Sequence, residues 1–141
     1  MIKTKNKNLS TDEIKARLFP LFDDQSLRLV LLFGSSVTGK LHRQSDIDLA
    51  FLFDIPVDMV KLTNRVVRLL HADNVDIIDL IHANPLLRFS AAKNSAVLFE
   101  KEPGMFCEFC SLAFRIYEDT KKLREARSES IKRFLELRKV G

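Results

Sequence analysis

The amino-acid sequence predicts an α/β domain in which helices flank a small mixed β-sheet. Short apolar runs of strand length alternate along the chain with segments of helical periodicity, an order typical of α/β proteins. A chain of 141 residues suits one domain and can bury a core without disulfides or structural metals. We therefore expect a single domain over 1–141, with a core at about 10–103 and a C-terminal helix at about 105–139.

The first predicted elements are a helix and two strands. Ser10 followed three residues later by Glu13 is a capping-box pattern, so we expect a helix from Ser10 to about Phe22. The short apolar run 27–33, which ends at Gly34, predicts a buried strand. Residues 46–53 predict a second strand, in which successive side chains face opposite sides.

The next predicted elements repeat this alternation. Residues 58–72 have helical spacing, with Val60, Val67 and Leu70 expected on the buried face. A third strand is predicted at 75–81, where β-branched residues dominate.

Two further elements precede the last helix. Asn84 followed by Pro85 is a favoured pair at a helix start and predicts a short helix through about Lys93. Residues 97–100 predict a short edge strand. From Met105 onward, the spacing of apolar residues predicts one long helix.

The predicted C-terminal helix changes character along its length. Its first part carries an apolar stripe suited to packing on the sheet. Beyond Glu118 charged residues become dense, and Phe134 and Leu135 have no evident partner within so small a domain. We expect the segment after about Thr120 either to dock on a partner protein or to wrap around the domain. The apolar stripe consists of Phe106, Phe109, Cys110, Ala113, Tyr117 and Leu123.

Composition and charge exclude several classes of protein. No apolar run approaches the length of a membrane span, and the N-terminal residues lack the apolar segment of a signal peptide, so we expect a cytoplasmic protein. The net charge of +4 suits solvated surface charge or contact with nucleotides, RNA or an acidic partner. Cys107 and Cys110 are too few ligands for a zinc site, and we expect both to be small core residues.

A phosphate-binding turn is predicted where the first strand ends. Gly34 allows the backbone to turn sharply and to approach a ligand closely. Ser35 follows at a predicted helix start, where free N–H groups and the helix dipole favour an anion. These two residues are therefore candidates for binding the phosphates of a nucleotide.

A pair of carboxylates opens the second predicted strand. Asp46 and Asp48 are two residues apart, so their side chains lie on one face, roughly 7 Å apart along the backbone. Such a pair suits Mg²⁺, which is commonly held by one or two carboxylates plus substrate phosphates. Edge-strand charges that prevent aggregation are the alternative interpretation. Asp48 lies in an apolar strand, however, where an unpaired charge is costly, and this favours a functional site.

A third carboxylate is expected from the third strand, which offers Asp76 and Asp79. If Ile77 and Ile78 face opposite sides of the sheet, these two carboxylates also face opposite sides, and only one can join the site. We predict Asp76, which is nearer the start of the strand, and expect Asp79 to be a surface or strand-end residue.

These residues together resemble the signature of the DNA polymerase β-like nucleotidyltransferase superfamily. The motif runs from Gly34-Ser35 across ten residues to Asp46-Ile47-Asp48. The context of 27–100 is similar to the minimal branch of the superfamily, the MNT-domain antitoxins of the MntA type. The motif is highly specific for the superfamily and less so for this branch.

The resemblance implies a function and roles for the motif residues. Members of this branch are encoded beside HEPN-domain RNase toxins, and some transfer AMP from ATP to a tyrosine of the toxin, which silences it. By this resemblance, Gly34 and Ser35 would hold the triphosphate, Asp46 and Asp48 would bind Mg²⁺, and Asp76 would complete the metal site.

Three other functions remain open from the sequence. A non-catalytic antitoxin would act by covering its partner, but it would not need three carboxylates. A small-molecule nucleotidyltransferase usually has a second domain for its acceptor, and here only about 40 residues follow the core. A DNA-binding autoregulator is suggested by the basic ends of the chain, but no helix-turn-helix pattern supports it.

Overall fold

Four β-strands and four α-helices make up the part of the chain that the computed structural model describes, residues 9–33 and 47–140. The helices and strands follow one another in the predicted order. The elements are α1 (Thr11–Leu18), a 3₁₀ helix (Phe19–Asp23), β1 (Leu27–Phe33), β2 (Ile47–Phe53), α2 (Met59–Leu70), β3 (Val75–Asp79), α3 (Pro85–Lys93), β4 (Ser95–Glu100) and α4 (Met105–Val140).

The strands form one mixed sheet with the order β3-β2-β1-β4. β1 is antiparallel to both β2 and β4, whereas β2 and β3 are parallel and are joined by α2 as a crossover. This confirms the prediction of a small mixed sheet flanked by helices. It also confirms that β4 is an edge strand.

The two faces of the sheet are covered by different helices. Side chains alternate between the faces along each strand. On the face that we call the α1–α2 face, Val30 and Phe51 pack with α1 and α2. On the opposite α3–α4 face, Leu29 and Ala50 pack with α3 and the first turns of α4. Burial on both faces explains why β1 is apolar at every position from Leu29 to Phe33.

The first helix begins as predicted but ends earlier. The Ser10 hydroxyl accepts the N–H of Glu13 at 3.2 Å, and the Glu13 carboxylate accepts the N–H of Ser10 at 2.9 Å, which completes the capping box. The helix was expected to reach Phe22, but its α-helical part ends at Leu18 and continues as a 3₁₀ helix. Pro20 explains the change, because it has no N–H to donate to an α-helical carbonyl.

The buried face of α2 differs from the predicted one. Asp58 caps the helix by accepting N–H groups from its first turn, and Leu62, Val66 and Leu70 are buried at intervals of four residues. Val60 was expected to be buried, but it is 70% exposed because it lies off this row. The error is one of helical phase, since the helix itself is where the spacing predicts it.

The long helix α4 packs on the sheet only through its first turns. Phe109 and Ala113 are buried, whereas Leu123 is exposed, so the predicted apolar stripe is buried only in its first part. Cys110 is half-buried and donates to the carbonyl of Ala92, but Cys107 is exposed, and the expectation that it lies in the core was wrong. Within the described ranges, none of the helices is both long and apolar enough to cross a membrane.

Candidate functional site

One row of residues crosses all four strands at one end of the sheet. Asp48 on β2 pairs with Asp76 on β3 and, on its other side, with Phe33 at the end of β1. Phe33 pairs in turn with Ser95 at the start of β4. Neighbouring strands lie about 4.8 Å apart, so the two aspartates are direct neighbours across the parallel pair.

Both aspartates face the α3–α4 side of the sheet. In β2, Asp48 lies between Ile47 and Leu49, which pack into the core of the α1–α2 face. In β3, Asp76 occupies the same position between Val75 and Ile77, which pack against that same core. Because side chains alternate along a strand, both carboxylates point to the opposite face.

The surroundings of Asp79 differ from those of Asp76. Asp79 pairs with Phe51, and its carboxylate accepts the N–H of Ile81 at 3.1 Å. Its other oxygen lies 2.7 Å from Nδ1 of His82. These contacts stabilise the turn that follows β3. The register thus places Asp76, and not Asp79, beside Asp48.

Two adjacent carboxylates on one face are suited to a divalent cation. Like charges directly opposite each other across a strand pair are destabilising unless something neutralises them. Asp48 is half-buried and Asp76 is exposed, so the pair can be reached from solvent. Carboxylate oxygens are the ligands that Mg²⁺ prefers, and the two residues therefore fit part of a magnesium site.

Three of the five predicted site residues fall outside the described residues: Gly34, Ser35 and Asp46. Their parts in the site therefore remain predictions. In residues 9–33 and 47–140, no group of three or more His, Cys, Asp or Glu side chains is close enough to hold a metal ion. A metal site built on Asp48 and Asp76 consequently requires a further ligand, for which Asp46 is the candidate from the sequence.

Ser95 belongs to the same row of residues, but the sequence did not indicate it as a site residue. Its hydroxyl is buried and has no hydrogen-bond partner within the described ranges. A single serine after a short helix has no distinguishing pattern. Only the pairing of β4 with β1 reveals its position beside Phe33, and the sequence carries no signal for that register.

Two sequence comparisons agree with this geometry. The chain matches the family described as polymerase beta nucleotidyltransferase over residues 18–104. It is 26% identical over 122 residues to the protein adenylyltransferase MntA of Aphanizomenon flos-aquae, and the match covers 78% of this chain and 81% of that protein.

Two solved structures have a similar fold. One chain in the crystal structure of a toxin–antitoxin with AMP-PNP superposes with a TM-score of 0.71 and 25% identity, covering 87% of this chain and 98% of that chain. A chain in the structure of a tri-AMPylated Shewanella oneidensis HEPN toxin in complex with MNT antitoxin gives a TM-score of 0.68 at 21% identity, covering 86% and 98%. At that identity, the second likeness concerns the fold alone.

The family match spans more than half of the chain and includes every predicted site residue. The mixed sheet and the placement of Asp48 beside Asp76 are consistent with it. The resemblance predicted from the sequence is confirmed, and the chain belongs to the polymerase β nucleotidyltransferase family.

Proposed function

We propose that this protein is an antitoxin and a protein adenylyltransferase. It transfers AMP from ATP to the hydroxyl group of a tyrosine in a HEPN RNase toxin, with pyrophosphate as the leaving group, and thereby neutralises the toxin. The observation that carries the proposal is the pairing of Asp48 with Asp76 on one face of a nucleotidyltransferase sheet. The names of the relatives support a protein acceptor, since they include a protein adenylyltransferase and a chain from a toxin–antitoxin with AMP-PNP.

Each predicted site residue has a role in this proposal. Asp46, Asp48 and Asp76 would hold Mg²⁺, and Gly34 and Ser35 would bind the triphosphate through backbone and hydroxyl donors. The bound metal would supply positive charge that stabilises the attacking and leaving oxygens at the α-phosphorus. Asp76, at the exposed end of the carboxylate pair, would also help to remove the proton of the acceptor hydroxyl.

The proposal also names a partner and a compartment. The toxin is encoded by the adjacent gene, and both proteins act in the cytoplasm, where ATP and RNA are available. A protein acceptor brings its own structure to the reaction. Neither a membrane nor DNA takes part in the reaction.

Transfer of a labelled nucleotide tests the proposal. The purified protein is incubated with Mg²⁺, ATP labelled at the α-phosphate and the HEPN-family protein from the neighbouring gene. We expect label on the partner with the wild-type protein and none with Asp48→Ala. Asp54→Ala is the matched control, because Asp54 lies beyond the other end of β2 in an exposed ion pair with Arg28. Unchanged transfer by Asp48→Ala would overturn the mechanism.

The same variants separate catalysis from simple binding. If the protein neutralised its partner only by covering it, Asp48→Ala would still suppress the RNase activity of the toxin in full. At a substoichiometric ratio, where a catalyst is effective and a binder is not, the proposal expects the wild-type protein to silence the RNase and Asp48→Ala to leave it active.

A further inference from the structure

The second half of α4 exposes large apolar side chains. Every residue from 121 to 138 is exposed, and the segment 121–140 is about 30 Å long at the rise of an α-helix. A helix gains most of its stability in proteins from a packed apolar face, and this segment has no such packing within the described chain. Five large apolar side chains in it are more than half exposed: Leu123, Ile131, Phe134, Leu135 and Leu137.

Most of these side chains continue the face by which α4 packs on the sheet. From Phe109 and Ala113, which are buried, intervals of ten, eight and three residues lead to Leu123, Ile131 and Phe134. Intervals built from three and four residues keep side chains on one side of a helix. We call Leu123, Ile131, Phe134 and Leu137 the distal stripe. Its first three members continue the core-facing side of α4 beyond the core, and Leu137 extends the stripe three residues past Phe134.

The charge of the chain is concentrated around the distal stripe. Residues 121–140 contain eight Lys and Arg against three Glu, a net charge of +5, whereas the whole chain has +4, so the remainder carries −1. The three glutamates (Glu125, Glu129 and Glu136) share the opposite side of the helix by their spacing of four and seven residues. Arg127 and Arg138 lie along the stripe, and the Arg138 guanidinium lies 5.6 Å from the centre of the Phe134 ring.

We propose that the distal stripe docks on a surface of a partner protein whose apolar side chains are bordered by carboxylates. Charge complementarity selects this occupant, because arginines border the stripe and glutamates do not. A second copy of the chain would bring together two segments that each have a net charge of +5, while their glutamates face away from the contact. A nucleic acid would satisfy the arginines but leave the apolar row uncovered. The identity of the partner as a toxin rests on the proposed function.

Binding of the purified full-length protein to the HEPN-family protein of the neighbouring gene tests the apolar part of the proposal. The double variant Phe134→Ser/Leu137→Ser should weaken binding about 30-fold or more, as expected for central apolar anchors of an interface. Ile55→Ser/Val60→Ser is the matched control, since these two residues are similarly exposed but lie outside α4. Equal affinities for both variants would overturn the proposal.

A second pair of variants tests the charge pattern, because both variants change the net charge by the same amount. Arg127→Glu/Arg138→Glu reverses charges along the stripe, and Lys121→Glu/Lys132→Glu reverses two charges away from it. The first pair should weaken binding at least tenfold more than the second. If both had the same effect, only the overall charge would matter, and docking through the stripe would be wrong.

Four further outcomes test this proposal or separate it from the others. Asp48→Ala should bind like the wild-type protein, so that a failure of transfer and a failure of docking are distinguishable. Self-association, measured by sedimentation, that disappears in Phe134→Ser/Leu137→Ser would instead assign the stripe to a second copy. Binding to vesicles of phosphatidylglycerol and phosphatidylethanolamine that disappears in the same variant would assign it to a membrane surface. A wild-type protein that does not bind the neighbouring protein would also overturn the proposal.

Discussion

The two ends of β3 carry the same side chain in different surroundings. At the start, Asp76 is exposed, and its side chain makes no hydrogen bond or ion pair within residues 9–33 and 47–140. At the end, the side chain of Asp79 is only 15% exposed and contacts the backbone of Ile81 and the ring of His82. The carboxylate at the end of the strand stabilises a turn, whereas the one at its start has no evident part in folding.

This difference shows how a functional carboxylate can be distinguished from a structural one. An exposed aspartate is common and indicates little by itself. Asp76, however, lies directly opposite Asp48 on the same face, an arrangement that costs stability. Residues that destabilise a fold and make no stabilising contact in return for that cost are expected at functional sites.

The largest expected effect is on catalysis. Asp76→Asn should lower the rate of nucleotide transfer about 100-fold or more, the usual scale for removing one group that stabilises charge in a transition state. Asp79→Asn should keep most of the activity, because its side chain faces the other side of the sheet. Initial rates with saturating ATP give the comparison. The opposite ranking would show that Asp79 serves the site.

The second expected effect is on stability, and here the change at Asp79 should matter more than the change at Asp76. Asp79→Ala should lower the free energy of unfolding by about 1 kcal/mol, because the N–H of Ile81 loses its acceptor. Asp76→Ala should leave it unchanged or raise it slightly, since repulsion with Asp48 is removed. Urea unfolding without metal or nucleotide measures both. Equal losses in the two variants would contradict a structural difference between the ends of β3.

The choice of Asp76 over Asp79 was predictable from the sequence because strand periodicity is strict. Ile77 and Ile78 must face opposite sides of the sheet, so the aspartates that flank them, Asp76 and Asp79, also face opposite sides. The strands and the capped helix starts at Ser10 and Asn84 were predictable for a similar reason, since each depends on a local pattern.

Other features depend on packing between distant segments, which the sequence does not display. The register that pairs Asp48 with Asp76 is set by the α2 crossover between two strands. Leu62 and Val66 are buried while Val60 is not, because the sheet contacts one side of α2 and the apolar residues span more than one. Cysteine is among the most frequently buried residue types, but Cys107 is exposed on the outer side of α4. In each case the local pattern was compatible with more than one arrangement.

The smallest expected effect concerns a third aspartate that, like Asp79, binds the backbone. The carboxylate of Asp24 accepts the hydroxyl of Ser26 at 2.7 Å and its N–H at 2.9 Å, just before β1. These hydrogen bonds lower the pKa of Asp24 from its ordinary value of 3.8. Because the pKa is lowered in the folded state, the ionised carboxylate contributes stability above pH 3.8, and this contribution is lost as the pH falls below that value.

Asp24→Asn isolates this contribution, because asparagine keeps an acceptor oxygen but cannot ionise. At pH 7 the variant should unfold with a free energy lower by about 0.5 kcal/mol or less, the usual range for an exposed position. Urea unfolding from pH 7 down to pH 3 should show this gap shrinking below pH 3.8. Asp73→Asn, at an exposed position before β3, controls for the loss of one negative charge. A gap that stayed constant to pH 3 would mean that asparagine disturbs the turn by its shape, and that ionisation of Asp24 contributes nothing to the fold.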